Sequence, residues 1–292
     1  LSGCAEIKVT HPIGKDTILE INDVVCSTGT AVARILEARE EYASTGDAVL
    51  WTRKIGDVTF AEYVKEQAKD DIMRYTASQV MAENLTIFIT DEEYRAAQAD
   101  GQRLYEELSA GYDLASYDMN VDDVIDLFIK RKYYEKVYDK LSENIKMQIS
   151  ESDTKAIEVN YVLVPAADGP EVAGRVRSDI MNGDFESVCM TYGYTPYMHK
   201  VITRGTMPQL FEDYAYALKD NEISEIVETQ DGFYIIDCLE DYLVTESVAN
   251  NNRIISDARR EIFQNEYEKF AASNNMRFNT AVWAKFDVST MG

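Results

Sequence analysis

The period of the apolar positions changes several times along the chain, and each change marks an element. In KAIEVNYVLVP, Ile157, Val159, Tyr161 and Leu163 alternate along one face while Val162 and Val164 add apolar groups to the other. That pattern predicts a strand buried largely on both sides. Pro165 and the AADGP run stop it. Val172, Val176 and Ile180 then recur at helical spacing, with Gly183 as C-cap. Asp184 caps a second short helix that turns Phe185, Val188 and Cys189 inward. Phe211, Tyr214 and Leu218 give a third helical stripe, and Phe233 to Leu239 a second strong strand. The predicted order is β-α-α-β-α-β, an α+β unit over residues 154–242.

The flanks have a different rhythm. Ile18 to Val25 reads as a strand with a turn at Asn22-Asp23, followed by a helix from Ser27 to Ser44 that Gly46-Asp47 breaks. Thr59 caps a helix whose stripe is Phe60, Tyr63, Val64, Ala68, Ile72 and Tyr75. Thr90-Asp91-Glu92-Glu93 starts another, its carboxylates placed for the helix dipole. A long helix is predicted from Asn120 to Ser150, and one more from Thr245 or Glu246. MRFNTAVWAKF alternates enough for a closing strand. These amphipathic segments are too incomplete to stand alone. The economical solution packs residues 17–153 with residues 243–292 as one mostly helical, discontinuous domain, into which 154–242 is inserted.

Composition narrows the class. The chain has 292 residues, 46% hydrophobic and 28% charged, and a formal net charge of −23. That charge argues against binding nucleic-acid backbones and points to cationic partners or a solvated acidic face. No apolar run reaches the ~18–20 residues a membrane helix needs. Four cysteines, Cys4, Cys26, Cys189 and Cys238, show no metal-ligand spacing, and only His11 and His199 offer imidazoles. Cys189 and Cys238 sit in apolar patterns as buried thiols; a bridge between them is the alternative. Residues 5–16 read as a short tether, and Leu1-Ser2-Gly3-Cys4 before it resembles a bacterial lipobox, so that 1–16 form lipobox and tether. There the cysteine becomes lipid-modified, which places the chain on the outer face of a cell membrane.

VNYVLVP, NGDFESVCMTYG, RGTMPQLFEDYAYALKDNEIS and VETQDGFYIIDCLE together resemble the parvulin family of peptidyl-prolyl isomerases. The most specific piece is the Arg-Gly-x-Met frame with Phe211, Leu218 and Glu-Ile-Ser after it. With helical arms on both sides, the chain resembles PrsA- and SurA-type foldases, in which the helical module cradles unfolded clients. Met207 and Phe211 match the family's proline pocket. Asn160 and Tyr234 stand where the resemblance places histidines, and the family's loop cysteine or aspartate maps near Thr195. The Gly-Gly-Asp-Leu-Gly turn is replaced by TPYMHKVITRG.

The resemblance implies a chaperone-like protein that binds exported unfolded polypeptides and prolyl peptides. Rotation about a prolyl bond needs no metal, cofactor or nucleophile; its barrier of about 18–20 kcal/mol is amide resonance. A catalyst lowers it by favouring the twisted amide. Without the paired imidazoles, the expected isomerase activity is weak or absent. An active isomerase using Met207 and Phe211 as pocket, with Asn160, Tyr234 and Thr195 as polar groups, stays open. So does a scaffold lipoprotein with one dedicated partner.

Overall fold

The computed structural model describes residues 13–43, 49–145 and 149–291. The proposed lipidation site Cys4, His11, most of the tether and the Gly46-Asp47 break lie outside them. In chain order the elements are β1 (Thr17–Ile21), β2 (Val24–Ser27), α1 (Thr28–Ala43), β3 (Lys54–Ile55), β4 (Val58–Thr59), α2 (Phe60–Asn84), α3 (Asp91–Gly111) and α4 (Val121–Leu141). There follow α5 (Glu151–Thr154), β5 (Ala156–Pro165), α6 (Gly169–Ile180), α7 (Phe185–Thr191), β6 (Tyr197–Thr203) and α8 (Gln209–Ala215). The last are β7 (Glu222–Ile223), β8 (Val227–Thr229), β9 (Gly232–Glu240), α9 (Val244–Ser273), β10 (Met276–Phe278) and α10 (Thr280–Trp283). The chain divides into two units: one runs to Glu143 and resumes at Glu261, and the other is Asn144–Arg260.

The first unit is mostly helical. Its small sheet, in the order β10-β1-β2, is antiparallel and pairs Leu19 with both Phe278 and Cys26. This pairing joins the two ends of the sequence, so the helical unit is discontinuous, as its amphipathic arms require. Ile18, Leu19, Ile35, Leu36, Ile72 and Leu127 are all nearly or fully buried in its core. Local chemistry starts the helices. Thr59 and Thr90 each accept the N–H of the residue three on at 3.2 Å, and Glu62 and Glu93 return the bond to the cap N–H at 2.7 Å. These are two reciprocal capping boxes.

Two flanking elements differ from the sequence expectation. The helix predicted to reach Ser150 stops at Leu141, because the Ser142 hydroxyl turns back onto the Tyr138 carbonyl at 2.6 Å. Ser150 then caps a separate short helix, α5, with Asp153. The closing strand ends at Phe278, since Asn279 caps α10 by accepting the Val282 N–H at 3.1 Å.

Glu93 carries a testable consequence. Hydrogen bonds from Lys136 Nζ at 2.8 Å, and next from the Thr90 N–H, pull its carboxyl down to about 2. A carboxyl lowered in the folded state stabilises above its ordinary value near 4.5, and that stability drains as pH falls toward 2. Glu93→Gln is expected to flatten the acid limb of the stability curve between those values. Fluorescence of Trp51 and Trp283, both buried in this unit, reads the change. An unaltered acid limb would refute the assignment.

The second unit is built on an antiparallel sheet in the order β6-β5-β9-β7, with β8 also pairing β9. It contains the predicted β-α-α-β-α-β order. Two extra pieces, β7 and β8, are only two and three residues long, too short for a readable period. The sheet separates two cores. On one face Ile157, Val159, Ile236 and Cys238 meet Phe211 and Ala215 of α8. On the other, Val162, Val164 and Ile235 meet Val176 and Ile180 of α6 and Cys189 of α7. Cys189 and Cys238 therefore face opposite ways, and both are free buried thiols pushed up to about 11 by burial. The alternative of a bridge between them does not hold.

The entry and exit of this unit are tied within it. The Ser247 hydroxyl accepts the Ala156 N–H at 2.9 Å, and Asn250 Nδ2 donates to the Thr154 carbonyl at 3.0 Å. At the start of β9, Gly232 has φ +138, and a Cβ there would lie 2.2 Å from the Val164 carbonyl oxygen, so no other residue fits. No helix among the described residues is long and apolar enough to cross a membrane.

Candidate functional site

Alternation along β5 and β9 decides what gathers on the α8 face of the sheet. Tyr161 and Leu163 of β5 and Tyr234 and Ile236 of β9 point to that side. Tyr161 pairs in register with Tyr197 of β6, so their rings lie directly opposite and stack, 4.6 Å apart and 12° from parallel. From α8, the Phe211 ring meets Tyr161 and Tyr234 edge to face, each at 5.2 Å. Tyr161 and Tyr234 complete a triangle at 6.1 Å. The result is an aromatic cluster with Phe211 as its floor.

Exposure rises outward through the cluster. Phe211 is 0% exposed and Tyr234 7%; Tyr161 is half-buried, and Tyr197 is 48% exposed. Met207 packs at the side. Its N–H donates to Glu212 Oε1 at 3.0 Å, and Glu212 is itself buried. A buried carboxylate thus fixes the turn that leads into α8. Nearby, the Tyr216 hydroxyl lies 3.1 Å from both the Lys155 and Ile202 carbonyl oxygens and shares its proton between them, and Arg204 covers its ring at 4.0 Å.

Three tyrosine hydroxyls stand on this face. Among the described residues, none of Tyr161, Tyr197 and Tyr234 has a hydrogen-bond partner for its hydroxyl. Burial pushes the hydroxyls of Tyr161 and Tyr234 upward, and each is raised further by Tyr197. They are neutral donors at physiological pH, suited to a carbonyl oxygen. No three His, Cys, Asp or Glu side chains among the described residues are placed to hold a metal ion.

The sequence-predicted polar trio is not brought together. Tyr234 joins the cluster, but Asn160 lies on the opposite face of the sheet. Its Nδ2 donates to Asp237 Oδ2 at 3.0 Å, and its Oδ1 accepts the His199 N–H at 2.9 Å. The Oδ1 end holds the β5–β6 irregularity, where His199 adopts φ +51 and its Nδ1 lies 2.8 Å from Glu158 Oε1, while the Nδ2 end ties β5 to its register partner on β9. Asn160 therefore has no hydrogen-bonding capacity directed at Tyr234. Thr195 sits exposed in the loop before β6. Of the predicted pocket pair, Met207 stays partly accessible, while Phe211 is sealed.

Sequence reasoning missed Tyr161, Tyr197 and Glu212. The signal for Tyr161 was present, since it shares the alternating face with Ile157, Val159 and Leu163. A motif register set on Asn160 lies one residue away, and in a strand one residue is the other face.

Residues 193–240, which run through β6, α8 and β7–β9, match the rotamase family model described as a PPIC-type PPIASE domain. The match thus spans Tyr197, Met207, Phe211 and Tyr234 of the aromatic face, and Tyr161 lies before it. No curated protein matches the chain. Among solved structures, the chain is similar to the peptidylprolyl isomerase PrsA from Bacillus cereus at 17% identity and a TM-score of 0.39, covering 75% of this chain and 88% of that one. For foldase protein PrsA from Lactococcus lactis the values are 10%, 0.34, 92% and 96%. For a SurA-like chaperone of Campylobacter jejuni they are 12%, 0.25, 90% and 98%.

Proposed function

We propose that the chain is an extracytoplasmic foldase that holds unfolded exported polypeptides, tethered to the membrane through lipid on Cys4. Its inserted unit binds prolyl segments and catalyses their isomerisation weakly or not at all. The observation that carries this reading is the rotamase match at 193–240, which falls on the strands and helix presenting Met207, Phe211 and Tyr234. The lipobox-like Leu1-Ser2-Gly3-Cys4 supports the tether. A holder outside the membrane has work to do even without catalysis, because uncatalysed X-Pro isomerisation takes roughly tens of seconds.

The side chains present support weak catalysis. The face carries tyrosine hydroxyls, which can donate to a carbonyl but cannot rebuild a paired-imidazole network, and its apolar floor is closed. A second reading, an active isomerase, is favoured by the three tyrosine hydroxyls on this face, none with a hydrogen-bond partner among the described residues. A protease-free assay on a proline-limited refolding protein separates the two. The wild-type rate is expected to equal buffer while the same client is kept soluble. Acceleration that Tyr161→Phe removes would overturn the weak-catalysis reading, and failure to suppress aggregation of any client would overturn the holder.

A further inference from the structure

We propose that the stacked Tyr161–Tyr197 pair is a removable cap over Phe211, and that Tyr197 sets how tightly the inserted unit holds a prolyl segment. This rests on the prolyl-binding reading above. With Phe211 0% exposed, no ligand atom reaches the ring in the observed arrangement. Two rings cover it edge on, those of Tyr161 and Tyr234. They are not equally mobile. Tyr234 is buried on β9, between register partners Leu163 and Val227 on either side. Tyr161 is partly exposed, and the ring stacked on it is Tyr197, the first residue of the edge strand β6 and almost half exposed.

Neither hydroxyl of the stacked pair is anchored by a hydrogen bond to a described residue, so ring contacts alone hold the cap. Such contacts are individually modest, and swinging an exposed ring aside is a rotamer change rather than a rearrangement of the sheet. The backbone beneath stays put, because Asn160 Oδ1 holds the β6 backbone at His199 and its Nδ2 ties β5 to β9 at Asp237. A prolyl ring entering at Met207 and Phe211 must displace Tyr161, and Tyr161 moves only when Tyr197 releases it. The apparent dissociation constant is then the intrinsic one divided by the fraction of molecules with the cap open.

The test uses the full chain and two fluorescein-labelled unfolded peptides, one with a single Ala-Pro bond and one with that proline replaced by alanine. Fluorescence anisotropy is expected to show Tyr197→Ala binding the prolyl peptide about tenfold more tightly than wild type, since the open fraction rises. Binding of the alanine peptide should not change, and Tyr197→Phe, which keeps the stack, should show no such gain. Tyr161→Ala removes the cap from beneath and should give the same proline-dependent gain. Equal or weaker prolyl binding by Tyr197→Ala, with an unchanged circular dichroism spectrum, overturns the cap. So does a gain that is the same for both peptides. Failure of the holder reading appears separately, as no suppression of aggregation of a proline-free client by any of these proteins.

Discussion

Phe211→Ala is expected to destabilise the inserted unit by about 3–5 kcal/mol, the usual cost of deleting a fully buried aromatic ring. Phe211 is 0% exposed and in edge-to-face contact with two tyrosines at 5.2 Å. Both the transfer contribution and the ring-pair contribution are lost together. α8 has only seven residues, and its inward side chains are chiefly Phe211 and Ala215, so little else holds it on the sheet. Tyr234, held on β9 between Leu163 and Val227, cannot collapse freely into the cavity. Amide exchange of β5 and β9 is the appropriate readout, because both tryptophans belong to the other unit. A loss below about 1 kcal/mol would show that Phe211 is not the floor of the cluster. Loss of prolyl binding in this variant would report unfolding as much as a missing pocket. Tyr161→Phe and Tyr197→Ala are the cleaner probes of function.

The difference between what the sequence shows and what it hides follows from the range of the forces involved. β5 and β9 were legible because central strands need long apolar runs. The starts at Thr59 and Thr90 were legible because a capping box is contained in four residues. The end of α4 was not. Apolar spacing continues as far as Ile145, and one serine hydroxyl turning back on Tyr138 outweighs it. Met207, Phe211 and Tyr234 were placed in one site through the family frame, and they do share one face. Asn160 fell on the wrong face because similarity in type outweighed the alternation already visible around it. Tyr197 had no signal at all. Its importance comes from register with Tyr161, and pairing across 36 residues of chain is a tertiary fact. Whether the resulting surface binds proline is a question of side-chain mobility, which neither periodicity nor motif encodes.

Asp126→Ala is expected to cost the helical unit about 3–5 kcal/mol, more than a helical i,i+4 pair suggests. In the sequence Asp126 and Lys130 look like an ordinary solvent-facing pair, for which ~0.3–0.5 kcal/mol is typical. In the fold the Lys130 side chain is 3% exposed and Asp126 34%, with Nζ 2.5 Å from Oδ1. The carboxylate also accepts the Thr30 hydroxyl at 3.0 Å, inside a layer where Ser27 and Asp123 are bonded in turn. Removing Asp126 leaves a buried ammonium without its partner, and that uncompensated charge dominates the loss. The double variant Asp126→Ala/Lys130→Met should recover most of the stability, since a Met side chain fills the lysine's volume without its charge. Denaturant unfolding followed by fluorescence of Trp51 and Trp283 reads both variants in the unit that carries the change. A single variant that loses under about 1 kcal/mol, or a double variant no better than the single, would mean water reaches Lys130 and the pair behaves as a surface one.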